Sequence, residues 1–294
     1  MTVKSSEMIL NEDGSIYHLK LFPHEVADDV ILVGDPARVD LISKRFDHIE
    51  LVKYNREFKT ITGTYCNKRI TIVSSGIGPD NIDIAINELD ALKNIDLNTR
   101  NIKDSLQSMN ILRIGTSGSL QEDISPGTAI ISKKSIGFDN LAHFYARIPN
   151  DKNRSIEHHL KEHLQWNQHL PYPYVTEASE NLIQQFQDTN FIQGWTISAP
   201  GFYGPQGRKL RIDPLYPEIN HQLKSFHSGS ERITNYEMES SAIYLLSGIL
   251  HHHALTICLV IANRMTHDFI QDYEPYMDTL IAQVLEMMVK KTPQ

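Results

Sequence analysis

Three clusters of side chains in this 294-residue chain have types and spacings suited to holding a polar ligand. The first is a pair of glycine-bearing turns with an arginine at hand. Gly34 has Arg38 one helical turn beyond it, and Gly115 has Arg113 two residues before and the hydroxyls of Thr116 and Ser117 just after. Glycine lets backbone N–H groups approach an anion, and a guanidinium offers planar bidentate donors, so the set suits a phosphate dianion. Taken singly, each turn also fits a plain glycine turn beside a solvated arginine. The second cluster, Asn235-Tyr236-Glu237-Met238-Glu239-Ser240-Ser241, reads as the opening of a helix with two acids near its N-terminus. One reading is helix capping and dipole complementarity. The other has a carboxylate accepting hydrogen bonds from vicinal hydroxyls of a sugar against which Met238 packs. The third, Gly201-Phe202-Tyr203-Gly204-Pro205-Gln206-Gly207-Arg208, combines an aromatic platform with an amide and a guanidinium two residues apart. It could stack a flat heterocycle and hydrogen-bond its edge, or be an ordinary Gly/Pro loop.

The elements that must position these clusters follow one grammar, an apolar β-rich run that stops at a small-residue turn and gives way to a helical period. Residues 29–33 read as a strand, Gly34-Asp35-Pro36 as a turn and 37–45 as a helix with Asp35 as N-cap. A strand at 69–74 runs into Ser75-Gly76-Ile77-Gly78-Pro79 and a helix at 81–93, and a third strand at 110–114 ends in Gly115-Thr116-Ser117-Gly118. Strands at 128–132, 195–198 and 254–262 and helices at 239–250 and 276–290 complete an α/β layout of one domain, 1–294. Stretches 96–109, 146–173 and 213–232 look inserted or solvated. In open α/β sheets ligands bind beyond the carboxyl ends of strands, where these glycine turns fall.

Composition excludes several classes. A net charge of −8 argues against a nucleic-acid or anionic-membrane partner, each of which needs a concentrated basic surface. Cys66 and Cys258 are far apart and form no CxxC or disulfide framework. The apolar run at 255–262 is too short for a bilayer, and a cytoplasmic location is expected. No GxxxxGK[ST] loop is present, and no GxGxxG follows a strand. His159-Leu160-Lys161-Glu162-His163 spells HxxEH, but one such match among 14 histidines is a weak warrant for a metal. Adjacent His251, His252 and His253 diverge on a helix.

Read together and in order, the clusters resemble the nucleoside phosphorylase superfamily, and its uridine phosphorylase branch most. The resemblance runs through Ile16-Tyr17-His18-Leu19, Val33-Gly34-Asp35-Pro36-Ala37-Arg38, Asn55-Arg56-Glu57-Phe58, Ser75-Gly76-Ile77-Gly78, Leu112 to Gly118, Phe202 to Arg208, Asn235 to Ser240 and Ile261-Ala262-Asn263-Arg264. It implies a three-layer αβα sandwich with a central mixed β-sheet and a site shared between subunits of a dimer or a hexamer. Gly34, Arg38, Arg113 and Thr116 match the phosphate-binding residues, joined by Arg56 from the neighbouring subunit. His18 matches the partner's ribose-binding histidine, and Glu237, Met238 and Glu239 match the other ribose contacts. Phe202, Gln206 and Arg208 match the base-binding residues, with Arg264 in support. Arg113, Arg208 and Gln206 are the expected catalytic residues. Inorganic phosphate is co-substrate and no cofactor is implied, although some members hold a monovalent cation between subunits near the match to Glu57.

Purine-cleaving relatives typically carry a Ser-Asp pair where this chain has Asn263-Arg264, so the resemblance points to a pyrimidine nucleoside such as uridine. Pro200-Gly201 departs from the more polar residues usual before the aromatic. A hydrolytic nucleosidase of the same superfamily would have no use for three phosphate arginines, and a catalytically silent nucleoside-binding protein would be expected to lose them first.

Overall fold

Strand β1 (Asp29–Val33) is apolar on both faces, as a strand covered on both sides must be. The computed structural model describes residues 2–146 and 150–290. After β1 come α1 (Pro36–Ser43), β2 (His48–Asn55), β3 (Phe58–Tyr65), β4 (Lys68–Ser74), α2 (Pro79–Asn94), β5 (Asn110–Ser119), β6 (Ala129–Gly137) and α3 (Asp151–His163). The second half carries β7 (Tyr174–Glu177), α4 (Glu180–Gln185), β8 (Ile192–Ser198), α5 (Ile219–Ser225), β9 (His227–Ser228), β10 (Glu231–Glu237), α6 (Ser240–Ile249), β11 (His253–Asn263) and α7 (Glu274–Val289).

Side-chain alternation builds the layers. Val30 and Leu32 of β1 enter one apolar cluster with Ile82, Ile86 and Leu89 of α2 and Ile243 and Leu246 of α6. Ile31 and Val33 enter the opposite cluster with Val39 and Ile42 of α1 and Ile281 and Val284 of α7. Helices thus cover both faces of a mixed sheet, the expected αβα architecture. Its order is β2-β3-β4-β1-β5-β11-β6-β8-β10-β9, with β7 on β6. Strand β10 also pairs with the end of β5, Asn235 opposite Ser119 and Tyr236 opposite Gly118. That closes β5, β11, β6, β8 and β10 into a ring and carries the end of β10 to the carboxyl half of β5.

Two sequence expectations need correction. The strand expected to stop at Ile114 continues to Ser119, because β11 pairs with it in parallel from Asn110 through Ser119. Gly115-Thr116-Ser117-Gly118 is therefore strand, and its glycines do not form an exposed anion loop. Likewise Asn235–Glu237 closes β10, and the helix begins only at Ser240. The stretches expected to be solvated are partly structural: Ile156 and Leu160 of α3, and Ile219 and Leu223 of α5, join a third apolar cluster. Among the described residues no helix is long and apolar enough to cross a membrane.

Candidate active site

The turn after β1 is built as its sequence suggests. Asp35 caps α1, its side chain accepting the Ala37 N–H at 2.8 Å, with Pro36 opening the helix. The cap sets α1 so that Arg38 points back under the sheet end, 9% exposed, its Nη1 donating to the Ile114 carbonyl at 3.3 Å. Arg113 reaches the same region from β5, 6% exposed. Burial lowers the pKa of Arg38, and the like charge of the nearby Arg113 lowers it further.

Arg113 is held by three groups. Its Nη2 pairs with Glu239, its Nη1 lies 3.4 Å from Glu237 and 3.3 Å from the Cys258 sulfur. Burial works against its charge, but Glu239 and the neighbouring groups outweigh that and fix it as a cation. Glu239 is pushed up by burial, which the Arg113 charge opposes and the Glu237 charge reinforces, and it also accepts the Gly78 N–H at 2.8 Å. Glu237 accepts from the Ser198 hydroxyl and from the backbone N–H groups of Glu239 and Ser240, both at 2.9 Å. The two readings of this cluster therefore divide between the acids: Glu237 caps α6 from the strand before it, while Glu239 faces the arginine. Met238 between them is half-buried.

Alternation puts Thr116 on the face of β5 opposite Arg113, the face on which α1 packs, so the pair does not share one loop. Gly34 abuts the next turn, where a Cβ would stand 3.3 Å from the Gly76 carbonyl. Sequence reasoning missed two contributors, Gly78 and Ser198, while the Ser117 hydroxyl that it did name is buried and has no hydrogen-bond partner among the described residues. Gly76-Ile77-Gly78 signalled the first only as a glycine-rich turn.

A second group assembles on the loop after β8. The Arg208 guanidinium lies 3.7 Å from the centre of the half-exposed Phe202 ring, and donates to the Phe202 carbonyl and the Gln206 side chain. Arg264 donates to the Gln206 carbonyl at 3.2 Å. Burial, and then the charge of Arg264, bring Arg208 down to about 10. Asn263 faces away, its amide donating to the Gln121 and Ile124 carbonyls at 2.8 and 3.0 Å. Four of the predicted base-site residues are thus brought together, with no carboxylate at 263 or 264.

His18 and Arg56 stand apart from both groups, at the β2–β3 edge. Glu88 of α2 pairs with the His18 ring at 2.6 Å and accepts the His18 and Leu19 N–H groups. Arg56, exposed at the hairpin tip, lies over the Tyr17 ring at 5.5 Å with φ at +57°. That left-handed conformation is costly for an arginine, and such strain concentrates where a side chain must be aimed. The HxxEH histidines do not converge: His159 is exposed, while His163 donates to the Gln222 carbonyl at 2.7 Å. Among the described residues no group of three or more His, Cys, Asp or Glu could hold a metal. A separate 600 Å³ cavity lies against α3, β6 and β8, bordered by Lys133, Lys134 and Trp195. Its two strand lysines are already paired with Glu231 and Glu177, and none of the site residues above borders it.

Residues 28–289 match the family model of the phosphorylase superfamily. The chain belongs to the phosphorylase superfamily. Among curated relatives of this phosphorylase-family chain, a uridine phosphorylase of Thermococcus kodakarensis is 30% identical over 90% of the chain and 83% of its own length. A DeoD-type purine nucleoside phosphorylase of Bacillus cytotoxicus is 25% identical over 83% of the chain and 85% of its own. Among solved structures, a Trypanosoma brucei nucleoside phosphorylase described as showing uridine phosphorylase activity superposes with a TM-score of 0.87 at 30% identity, covering 96% of this chain and 99% of that one.

Proposed function

We propose that this phosphorylase cleaves a pyrimidine nucleoside with inorganic phosphate, converting uridine to uracil and ribose 1-phosphate. The observation that carries the reading is a pair of buried arginines: Arg113, held by two carboxylates, has near it Arg38, which donates to the Ile114 carbonyl, forms no ion pair among the described residues and would be neutralised by an anion. A nucleosidase using water has no need of that pair. Relatives named for uridine phosphorolysis support the same class, and the purine-type relatives make the base the finer question.

In the proposed reaction a phosphate oxygen bonds to C1′ as the C1′–N1 bond breaks, its electron pair leaving with uracil. The proton of HPO₄²⁻ ends on the released base, so atoms and charge balance without a side-chain nucleophile. Fixing phosphate beside C1′ supplies proximity, and Arg208 and Gln206 stabilise negative charge growing on the ring. Glu239 and Met238 hold the ribose. The absence of an acid at 263 and 264 supports pyrimidine, since a purine leaving group gains from a proton donor there.

Arg56 and His18 complete the site in this proposal only as groups from a second subunit, in a dimer or a hexamer of a cytoplasmic enzyme. Their place at an edge whose strand β2 exposes Val52 and Tyr54 supports it. Glu57 on the same hairpin supplies one carboxylate, so a bridging monovalent cation needs the partner's oxygens as well. Mixing inactive Arg56→Ala with inactive Arg113→Ala should restore activity through hybrid oligomers; no recovery on mixing counts against a shared site.

The decisive assay follows absorbance with uridine, thymidine and inosine, each with and without phosphate. Phosphate-dependent uracil release is expected. Release without phosphate, or a preference for inosine, overturns the reaction or the base assignment respectively.

A further inference from the structure

Gly115 is not a turn glycine. It lies within the β5–β11 ladder, directly opposite Cys258, and its backbone is outside the left-handed region that demands glycine. What demands it is space. In a strand, residues i and i+2 project from one face, so a side chain at 115 would occupy the surface along which Arg113 extends. A Cβ at 115 would stand 2.0 Å from Arg113 Nη1, 2.7 Å from its Cζ and 3.0 Å from the Cys258 sulfur. These contacts are with the far end of Arg113 and with the thiol beside it, so a side chain at 115 is accommodated only by moving the guanidinium itself out of its pairing with Glu239.

Cys258 forms the adjoining wall. It is fully buried, and its sulfur accepts from Arg113 Nη1 at 3.3 Å. Burial pushes the thiol up to about 12, so it remains neutral. A neutral sulfur locates the guanidinium without cancelling its charge, unlike the carboxylates of Glu237 and Glu239 on its other sides.

We infer that Gly115 and Cys258 are positioning residues that set the Arg113 guanidinium for phosphate, Gly115 as a floor and Cys258 as a wall. The inference rests on the phosphate role given to Arg113 above. Small displacements of a donor in a preorganised site are costly, so both residues should act on phosphate and not on the nucleoside.

The test is steady-state kinetics of folded Gly115→Ala, Cys258→Ala and Cys258→Ser, with Arg113→Ala as control and phosphate-dependent Tm as a readout free of turnover. Gly115→Ala is expected to raise phosphate KM about tenfold or more and to abolish most of the phosphate-induced Tm rise, with nucleoside KM within about twofold of wild type. Cys258→Ala should raise phosphate KM about threefold, and Cys258→Ser, which keeps an acceptor, should recover most of that. The inference is overturned if folded Gly115→Ala has wild-type phosphate KM, or if phosphate and nucleoside KM rise together. Should Gly115→Ala fail to fold, the cysteine pair decides: equal effects of Ala and Ser, or none, overturn the wall. Normal phosphate kinetics in Arg113→Ala instead sinks the phosphate reading itself.

Discussion

The arginines at the sheet end and the arginines gathered at the loop after β8 are the same residue type in opposite settings. Arg38 and Arg113 are almost fully buried, anchored by a capped helix and a paired strand, and Arg113 is enclosed by two carboxylates and a thiol. Arg208, on the loop after β8 with the exposed rings of Phe202 and Tyr203, and Arg264, just after β11, are half-buried and lean on backbone carbonyls. A buried guanidinium in a network of satisfied partners has one geometry available, whereas a loop held by a few carbonyl contacts can be rebuilt by changing a few residues. Under the proposed function, the first group would serve a co-substrate that does not vary and the second a base that does. Uridine and purine phosphorylases among the relatives of one chain fit that division.

If that contrast is right, the largest losses come from the enclosed group. Arg113→Ala should lower turnover by about 10²- to 10³-fold, the range for losing one preorganised transition-state donor. It also strands Glu237 and Glu239 without their shared cation, which should cost ~3–5 kcal/mol of stability, read as a lower denaturation midpoint in urea. A variant with wild-type stability would show that the ion pairs are loose and the contrast false. Arg38→Ala comes next. It should raise phosphate KM about tenfold while leaving nucleoside KM alone. Because it removes one of two mutually repelling buried cations, phosphate-free stability should change little, and the Tm rise that phosphate gives the wild type should shrink. On the loop, Gln206→Ala should raise nucleoside KM by about tenfold, one uncharged hydrogen bond's worth, with phosphate KM unmoved.

Legibility in the sequence followed the same divide. Local rules sufficed for β1, its turn and α1, since Asp35-Pro36 is a capping signal and the apolar run before it has strand length. The helix start was read to within one residue, but the strand at Asn235–Glu237 and the continuation of β5 past Gly115 were not legible, because both depend on pairing between segments far apart along the chain. A glycine followed by hydroxyls looks like a loop until its ladder partner is known. The β2–β3 hairpin was not read from the sequence, where only the family match at Asn55-Arg56-Glu57-Phe58 marked the region: β2 exposes Ile49, Val52 and Tyr54 beside His48 and Glu50, so no clean alternation shows, and the tip has no Asn-Gly or Asp-Gly turn. Which arginines would meet was a tertiary fact in every case. Motif order named the set, and the structure supplied the Glu239–Arg113 pairing and the Gly78 contact that local spacing does not encode.

The smallest effect is also the most direct measure of whether the two groups are separate. Arg38 and Gln206 share no hydrogen-bond partner, whereas Gln206 receives Arg264 on its carbonyl and Arg208 on its side chain. Distant sites without common partners add to within about 0.5 kcal/mol, and members of one network deviate by more. In double-mutant cycles on kcat/KM, Arg38→Ala with Gln206→Ala should therefore be additive within that margin, while Gln206→Ala with Arg264→Gln should fall short of the sum. Coupling across the first pair as strong as across the second would mean that phosphate and base are read by one connected network. A change of base specificity in the loop would then disturb the anion site as well, and the separation of a constant co-substrate from a variable base would be lost.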